Sequence, residues 1–472
     1  MTNWMPDPGQ GQGPLYARIA DQIEQAITGG VLPSGTKLPP QRNLAYDIGV
    51  TIGTIGRAYH LVRERGLVSG EVGRGTYVLD NADMRPAEQA DPMTAALAGT
   101  RPIKAPPGKL RFDSTAAPDI GQGASLEKLL IDISREHHAD IASYARDFPQ
   151  HWFEAGSQWL AKGSFRPKPD CIVPTLGAHA GAVAVIAAVT APGDKIAFEN
   201  VTYSQISRSA GLIGRRTILL RTDDGGLDPE DFERVCAQQH PKLAFLMPTA
   251  QNPTVTTLSI ERRRAVADIA RRYGVWLLED DLYGAMTGDM TPLLAELAPE
   301  RTFLVGGLSK SVAAGARGGW VACPPHFSQR VRIAHKMVSG GMPFLLAELC
   351  ARLVLGGEAA ILRSRCIDEI RGREQMAREI FSGLDFNSHP HVPFLWLKLS
   401  EPWFSGTFKH AAFDEGVLID DEDEFKAGRT DSVFHRVRIG FSSPATRNEV
   451  RTGFMTLRRL LDSGRTGHDS FA

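Results

Sequence analysis

Apolar side chains recur at helical spacing near the start of the chain, and polar side chains fill the positions between them. The first such stretch has apolar residues four apart, at Leu15, Ile19, Ile23 and Ile27. This spacing predicts an amphipathic helix that ends at Gly29-Gly30. A second helix is predicted from about Pro40, and a third begins after Thr51, whose hydroxyl can cap its first turn. A glycine-rich stretch downstream predicts a β-hairpin with its turn at 73–75.

From about Leu110 onwards, short apolar runs alternate with segments of helical length. Seven of these runs are predicted as strands, at 171–174, 195–199, 217–220, 243–247, 275–279, 302–306 and 319–323. Buried strands joined by crossover helices form an α/β domain with a mostly parallel sheet and helices on both sides. Ligand-binding groups are then expected at the strand ends and on the loops that follow them.

The Pro-rich composition of residues 81–109 predicts a linker between these two regions. We therefore predict four parts along the chain. They are a small domain at 14–80, the linker at 81–109, a large domain at 110–460 and a flexible tail at 461–472. The segment from about 345 to 460 is expected to form a small α+β subdomain of the large domain.

Three helices followed by a hairpin are typical of a winged helix-turn-helix, whose third helix enters the major groove of DNA. The same architecture can also serve as a small protein-interaction module. Charge separates these two interpretations only weakly, because residues 14–80 carry seven Lys or Arg against six Asp or Glu. The pattern alone therefore leaves both open.

Composition limits the class of protein further. The 472 residues are 42% hydrophobic and 23% charged, and the formal net charge of −1 argues against a general polyanion binder. The five cysteines are odd in number and form no CxxC pair, so we expect reduced thiols and neither a disulfide framework nor a metal site. No signal peptide or membrane-spanning run is visible, and we expect a cytoplasmic protein that does not enter a membrane.

The residues of the small domain closely resemble the GntR-type winged helix. The resemblance is carried, in chain order, by Pro14-Leu15-Tyr16, Leu38-Pro39, Arg42-x-Leu44-Ala45, Gly49-Val50, Gly66-Leu67 and Gly73-x-Gly75-Thr76. It implies binding to double-stranded operator DNA, with contacts from Arg42, Thr51, Thr54, Arg74 and Gly75, and further phosphate contacts from Lys37 and Arg57. Ile52 stands where this family often has Arg. Operator recognition is therefore expected to depend more on thymine methyl groups, DNA shape and the hairpin at 73–75 (the wing) than on arginine–guanine pairs.

Three loops of the large domain carry the candidate chemistry. Each follows an apolar strand, and together they offer an amide at Asn252, a carboxylate at Asp280, a phenol at Tyr283 and an amine at Lys310. Arg317 adds a guanidinium. Alone, each has an ordinary structural explanation, since most lysines are solvated and a buried carboxylate can cap a loop. As a set, they are the groups that hold a pyridine aldehyde phosphate: Lys as a Schiff base, the carboxylate on the ring nitrogen and Arg on the phosphate.

Residues 110–460 resemble the fold-type I aminotransferases of class I/II, which bind pyridoxal 5′-phosphate (PLP). The resemblance implies that Lys310 is the Schiff-base lysine and that Asp280 pairs with the ring nitrogen, with Asn252 and Tyr283 at the ring hydroxyl. It assigns the phosphate to Gly177, Ala178, His179, Ser309 and Arg317. It also places Tyr203 on the ring and Arg438 at the carboxylate of an amino-acid ligand. His179 departs from the family, where Gln or Glu is frequent.

The order of winged helix, linker and aminotransferase-like domain is similar to the MocR family of bacterial regulators. That resemblance implies a head-to-tail homodimer in which an amine or amino-acid effector forms an external aldimine with PLP and alters operator binding. A working PLP-dependent aminotransferase that carries a DNA-binding domain remains an alternative, so the sequence leaves catalytic turnover open. A third possibility is a cofactor-free scaffold, against which the complete set of cofactor-binding residues argues.

Overall fold

The computed structural model describes residues 4–10, 13–71, 75–79, 99, 106–145, 147–430 and 432–469. The chain divides into two compact units, the first formed mainly by the N-terminal 96 residues and the second by most of the rest.

The small unit is a winged helix-turn-helix. Its elements are α1 (Leu15–Thr28), β1 (Lys37–Leu38), α2 (Gln41–Asp47), α3 (Ile52–Glu64), β2 (Val68–Glu71) and β3 (Gly75–Val78). The predicted helices and hairpin are confirmed, and β1 adds a third antiparallel strand beside β3 that the sequence pattern did not predict. The apolar faces of the three helices form one buried core, and the buried Tyr59 donates its hydroxyl proton to the Pro39 carbonyl at 2.8 Å.

A seven-stranded sheet organises the large unit. In spatial order its strands are β5 (Ile172–Thr175), β13 (Gly319–Ala322), β12 (Thr302–Gly307), β11 (Trp276–Asp280), β10 (Leu243–Leu246), β6 (Lys195–Glu199) and β7 (Arg216–Leu220). All neighbours are parallel except those of β13, which runs antiparallel to both β12 and β5. The predicted mostly parallel α/β sheet is therefore confirmed, and each of the seven predicted strands overlaps an observed one.

Helices connect and cover these strands. They are α4 (Gly123–Glu136), α5 (His138–Ile141), α6 (Gln150–Leu160), α7 (Gly177–Val189), α8 (Gln205–Leu212), α9 (Pro229–Gln239), α10 (Ile260–Tyr273), α11 (Gly284–Thr287), α12 (Leu294–Leu297), α13 (Ser328–Ser339) and α14 (Phe344–Leu355). A short hairpin pairs β8 (Thr222–Asp223) with β9 (Gly226–Leu227). Hydrophobic clusters lie on both faces of the sheet, which explains why its central strands are apolar throughout.

The C-terminal part adds a four-stranded antiparallel sheet in the order β14 (Phe386–Asn387), β15 (Phe394–Lys398), β18 (Arg436–Gly440) and β17 (Asp420–Asp421). The helices of this part are α15 (Glu358–Ile380), α16 (Ser405–Asp414) and α17 (Arg447–Asp469). A separate parallel pair joins β4 (Leu110–Arg111) to β16 (Val417–Leu418), so the first strand of the large unit belongs structurally to its C-terminal part.

The end of the chain differs from the sequence prediction. A loose tail was expected from 461, but α17 continues to Asp469. Buried apolar residues recur every three or four positions at Val450, Phe454, Leu457 and Leu461, which anchors the helix as far as the start of the predicted tail, and the backbone stays helical for eight residues more. The five cysteines are free thiols. In the part of the chain that the structure describes, no helix is both long enough and apolar enough to cross a membrane.

Candidate functional site

A cavity of about 280 Å³ opens at the carboxyl ends of the parallel strands in the large unit. It brings together all eleven residues that the sequence assigned to a cofactor and its ligand: Gly177, Ala178, His179, Tyr203, Asn252, Asp280, Tyr283, Ser309, Lys310, Arg317 and Arg438. Strand ends meet at this edge of the sheet because β10, β11 and β12 are parallel neighbours. The individual roles of these residues remain predictions.

Lys310 lies on the loop after β12, half-buried in the cavity wall. Its Nζ donates to the Thr115 Oγ1 at 3.2 Å and lies 5.8 Å from the centre of the Tyr283 ring. The Thr115 and Tyr283 hydroxyls are joined by a 2.6 Å hydrogen bond. The Thr115 hydroxyl therefore links the amine to Tyr283, and a primary amine at this position can form a Schiff base with an aldehyde.

Asp280 is the last residue of β11 and is 6% exposed. Its Oδ1 accepts the Leu282 N–H at 3.1 Å. Burial raises the pKa of the Asp280 carboxyl to about 7, against the smaller opposing effect of that hydrogen bond. A buried carboxylate of this kind fits a cationic group in the cavity, and a protonated pyridine nitrogen is such a group.

The start of α7 forms a cradle suited to an anion. Gly177 has φ 81°, and the first N–H groups of a helix are free to bind a phosphate. A Cβ on Gly319 of β13 would lie 2.5 Å from the carbonyl carbon of Gly177, so only glycine permits this close approach. Arg317 lies beside the cradle, where a Cβ on Gly177 would come within 3.9 Å of the guanidinium carbon.

The peptide that precedes this helix is fixed by a buried histidine. His335 of α13 is 2% exposed, and its Nε2 accepts the Leu176 N–H at 3.1 Å. Burial lowers the pKa of His335 to about 4, so the ring is neutral at physiological pH and can accept this bond. No sequence signal pointed to His335, because it lies on a distant helix.

An aromatic pair, Tyr203 and His179, also lines the cavity. Tyr203 and His179 make an edge-to-face contact at 5.9 Å, and the Tyr203 Oη lies 3.4 Å from the His179 Nδ1. The His179 Nε2 lies 3.2 Å from the Ser209 Oγ. Burial, and to a lesser extent the Arg317 charge, lower the pKa of His179, so a neutral ring here orients Tyr203 without adding charge.

Arg438 of β18 is buried at the far side of the cavity, 2% exposed. Its Nη1 donates to the Asn252 Oδ1 at 2.9 Å, and its Nη2 donates to the Asp113 carbonyl at 3.0 Å. Its Nη2 also forms an ion pair with Asp420, which lies opposite Arg438 in the β17–β18 ladder. The predicted ligand-binding arginine therefore already has an anionic partner within the protein.

Several cavity residues were missed by the sequence analysis. Thr115 bonds both Lys310 and Tyr283, and Arg111 forms a two-point ion pair with Asp113 at 3.0 and 2.9 Å. These residues directly follow the predicted linker and reach the cavity through the β4–β16 pairing. That pairing joins positions about three hundred residues apart, so no local sequence pattern can predict it.

The predicted DNA-contacting residues of the small unit lie on its surface. Lys37, Arg42 and Arg57 are exposed. Thr51 caps α3 as predicted: its Oγ1 accepts the Thr54 N–H at 3.2 Å, and the two hydroxyls are 2.9 Å apart.

The wing and the start of α3 add two further features to this surface. Gly75 has φ 110°, and a Cβ there would lie 2.6 Å from the Lys37 Cε, so the wing needs glycine at this position. Ile52, at the start of α3, is 52% exposed. Arg74 lies outside the described residues.

Comparisons with known proteins divide the chain in the same way. Residues 15–78 match the family of bacterial regulatory proteins called the gntR family, and residues 154–393 match the family aminotransferase class I and II. The second match spans about half of the chain. The two families thus account for the winged helix and for the domain that holds the cavity.

Several proteins that match this chain are named HTH-type transcriptional regulators. The chain is 30% identical to the uncharacterized regulator YdeF of Bacillus subtilis over 469 residues, 98% of this chain and 97% of that protein. It is 26% identical to the pyridoxine biosynthesis regulator PdxR of Corynebacterium glutamicum over 316 residues, 66% of each. Among solved structures, LysN, an α-aminoadipate aminotransferase of Thermus thermophilus, has a TM-score of 0.69 at 20% identity and covers 76% of this chain and 94% of that one. This last likeness shows the fold.

Proposed function

Because the chain belongs to the family of MocR-type transcription regulators, in which a gntR domain precedes an aminotransferase class I and II domain, we propose that an amine controls its binding to operator DNA. The DNA-binding regulator class and the cofactor PLP follow from the family and from the donor set of the cavity. The observation that carries the proposal is the assembly in one cavity of all eleven predicted residues, ten of them around the buried carboxyl group of Asp280.

Each residue would contribute a separate interaction with the bound cofactor. PLP supplies an aldehyde that a primary amine can take over from Lys310. Asp280 would hold a proton on the ring nitrogen, and Asn252 and Tyr283 would donate to the ring hydroxyl. The start of α7, with Ser309 and Arg317, would bind the phosphate, and Tyr203 would stack on the ring. The Lys310 amine, once released from the cofactor, would be able to donate to the Thr115 hydroxyl as it does in the structure.

Control of DNA binding requires more than occupancy of this cavity. The effector must favour one of two conformations that differ in operator affinity, because equal binding to both shifts nothing. In the small unit, the exposed Lys37, Arg42 and Arg57 would bind phosphates, and the start of α3 with the wing would read the groove. Exposed Ile52 is suited to contact a thymine methyl group.

The test uses the full-length, PLP-loaded protein. A binding sequence is first selected from random duplex DNA, and its affinity is then measured by fluorescence anisotropy at fixed salt while amines and amino acids are added. We expect a visible cofactor band, an effector that shifts both this band and DNA affinity, and loss of both responses in Lys310→Ala. Lys128→Ala, a change on the exposed face of α4, is the matched control and should behave as wild type. A compound that shifts the band at saturation without changing DNA affinity would contradict the proposal.

An active aminotransferase is the second candidate. The observation in its favour is that the cavity contains an amine, a ring-nitrogen partner and a phosphate cradle in one place. Keto-acid release is the discriminating measurement, with 2-oxoglutarate as amino acceptor. Continued turnover would support the enzyme, whereas release of at most one equivalent per subunit would support the regulator.

We also propose a head-to-tail homodimer, as the family resemblance implies. A two-fold symmetric protein suits an operator with two half-sites. Sedimentation velocity of the PLP-loaded protein should give twice the chain mass of 51.4 kDa. A monomer at micromolar concentration that still binds selected DNA would contradict this part of the proposal.

A further inference from the structure

The ion pair between Arg438 and Asp420 bears on which amines the cavity accepts. Asp420 is 0% exposed and Arg438 is 2% exposed, so both charges are removed from water. The two residues are direct partners in the antiparallel β17–β18 ladder. Because strand register fixes their alignment, the pair is built into the sheet and does not depend on a flexible side chain finding a partner.

The N–H groups of Arg438 are largely committed. Its Nη2 carries two hydrogens, and these serve the Asp113 carbonyl and the Asp420 carboxylate. One Nη1 hydrogen serves Asn252, and the buried Nε has no hydrogen-bond partner among the described residues. A guanidinium presents parallel N–H pairs on two edges, Nε/Nη2 and Nη1/Nη2, and both edges require Nη2. No two-point fork therefore remains for an incoming carboxylate.

Two ion pairs lie on this side of the cavity. Arg438 is paired with Asp420, and Arg111 is paired with the buried Asp113. An additional carboxylate at Arg438 would lie close to the Asp420 carboxylate in a buried site, and like charges in such a place disfavour each other. A ligand without a carboxylate at that position leaves both pairs intact.

We propose that the effector is a primary amine that lacks an α-carboxylate, and that Asp420 is the residue that sets this preference. The inference rests on the proposed function, since it concerns the amine that replaces Lys310. It revises the role that family resemblance assigns to Arg438. In this chain Arg438 orients Asn252 and neutralises Asp420, and one spare Nη1 hydrogen can serve a neutral acceptor on the ligand.

The first test compares matched ligands on the wild-type, PLP-loaded protein. Each α-amino acid is paired with the amine that its decarboxylation gives: leucine with 3-methylbutylamine, phenylalanine with phenethylamine, lysine with cadaverine and glutamate with 4-aminobutyrate. Binding is followed through the cofactor absorbance, and DNA affinity is measured in parallel. For the pairs that respond, we expect the amine to reach half-saturation at a concentration at least tenfold below that of its amino acid.

The second test changes the charge at one position. Asp420→Asn keeps the size of the side chain and frees the Arg438 charge, so amino-acid affinity should rise at least tenfold while amine affinity stays within about threefold. Asp421→Asn is the matched control, because it is the same change one residue along β17, where the side chain pairs with Lys409 and caps the next turn. This control should keep the wild-type preference.

The outcomes separate this inference from the proposed function. Wild-type protein that binds amino acids as tightly as their amines would overturn the inference and leave the proposed function standing. An amine preference that survives in Asp420→Asn would overturn the role of Asp420. If no compound of either class shifts the cofactor band or DNA affinity, both proposals are wrong. The wild-type comparison decides the ligand class even if the variant does not fold.

Discussion

The two units place their functional side chains in opposite environments. In the winged helix, Lys37, Arg42 and Arg57 are exposed and the core beneath them is apolar. In the cavity of the large unit, by contrast, Asp280 is 6% exposed and accepts the N–H of Leu282 on the loop that follows it. Arg438 is 2% exposed and donates to Asn252 and to the Asp113 carbonyl, which lie on other segments.

The difference reflects the two kinds of ligand. A duplex is a long polyanion, and side chains that bind its phosphates need reach and mobility more than fixed positions. A small cofactor must be held by groups oriented before it arrives, in a place from which water is excluded. Substitutions of the buried cavity residues should therefore affect folding and ligand binding together, whereas substitutions of the exposed Lys37, Arg42 and Arg57 should affect DNA binding alone.

The largest effect is expected for Asp280→Asn. Loss of the carboxylate should weaken PLP binding by roughly 3 kcal/mol, more than a hundredfold, because one partner of a buried charge pair is removed. The cofactor-free protein should instead become more stable at pH 8, by roughly 2–4 kcal/mol, because the raised pKa of Asp280 makes its ionised form costly in the folded state. Cofactor titration and chemical unfolding measure the two effects.

The pH dependence of the stability of the cofactor-free protein provides the control for this prediction. In the folded protein the Asp280 carboxyl keeps its proton up to about pH 7, whereas in the unfolded chain it loses the proton at about pH 4. Stability of the cofactor-free wild type should therefore fall as pH rises from 4 through 7, and Asp280→Asn should show less of this fall. Equal pH profiles in the two proteins would contradict the buried-carboxylate account.

Arg42→Ala should have the next largest effect. It sharpens the comparison between the two units because it should change DNA binding alone. Loss of one phosphate contact is expected to weaken operator binding roughly tenfold at low salt and to reduce the slope of log affinity against log salt by about one. The cofactor spectrum and the unfolding midpoint should not change. Arg65→Ala is the contrasting variant, since Arg65 pairs with Asp21 and Glu24 inside the unit and should lower stability instead.

His335→Leu tests whether the phosphate cradle depends on one buried acceptor. The substitution leaves the Leu176 N–H without a partner, which costs roughly 1–3 kcal/mol and should weaken PLP binding about tenfold. Pyridoxal, which lacks the phosphate, should bind the variant and the wild type equally. His335→Gln retains an acceptor and should recover much of the PLP affinity. An equal loss for PLP and pyridoxal would point to general damage to the fold.

Thr51→Ala is expected to have the smallest effect. It removes the cap of α3, whose hydroxyl accepts the Thr54 N–H, at a cost of about 1 kcal/mol in the stability of the small unit. Thr51→Ser keeps the hydroxyl and should behave as wild type in thermal unfolding. If Ala and Ser weaken operator binding equally while stability is unchanged, the methyl group contacts DNA and the cap is secondary.

Much of this molecule could be predicted from its sequence. The strands of the central sheet are short apolar runs bounded by turn residues, and Lys195–Glu199 was predicted to the residue. The cofactor residues follow such strands directly, so strand prediction located Asn252, Asp280 and Lys310 on the same edge of the sheet. The local sequence pattern predicts the position of a side chain correctly when that position follows from the strand that precedes it.

Other features depend on pairings that no local pattern shows. Thr115 reaches Lys310 through β4 and its partner β16, and Asp420 meets Arg438 through strand register. A two-residue strand is too short to show periodicity, and an Asp-rich stretch is more often a solvated surface than a buried ion pair. The predicted tail begins where the buried face of α17 ends, at Leu461, because the apolar pattern does not extend to the helical residues beyond it.

The position of Thr115 also determines how close along the chain a contact of the Lys310 amine lies to the predicted linker. Thr115, whose hydroxyl bonds Lys310 Nζ, lies five positions after Leu110, the first residue beyond the predicted linker. A fully extended chain of that length spans at most about 18 Å. Between Thr115 and the linker, however, β4 is hydrogen-bonded to β16. Under the proposed function, a movement of Thr115 would therefore reach the C-terminal part of the large unit, through β4 and β16, before it reached the linker.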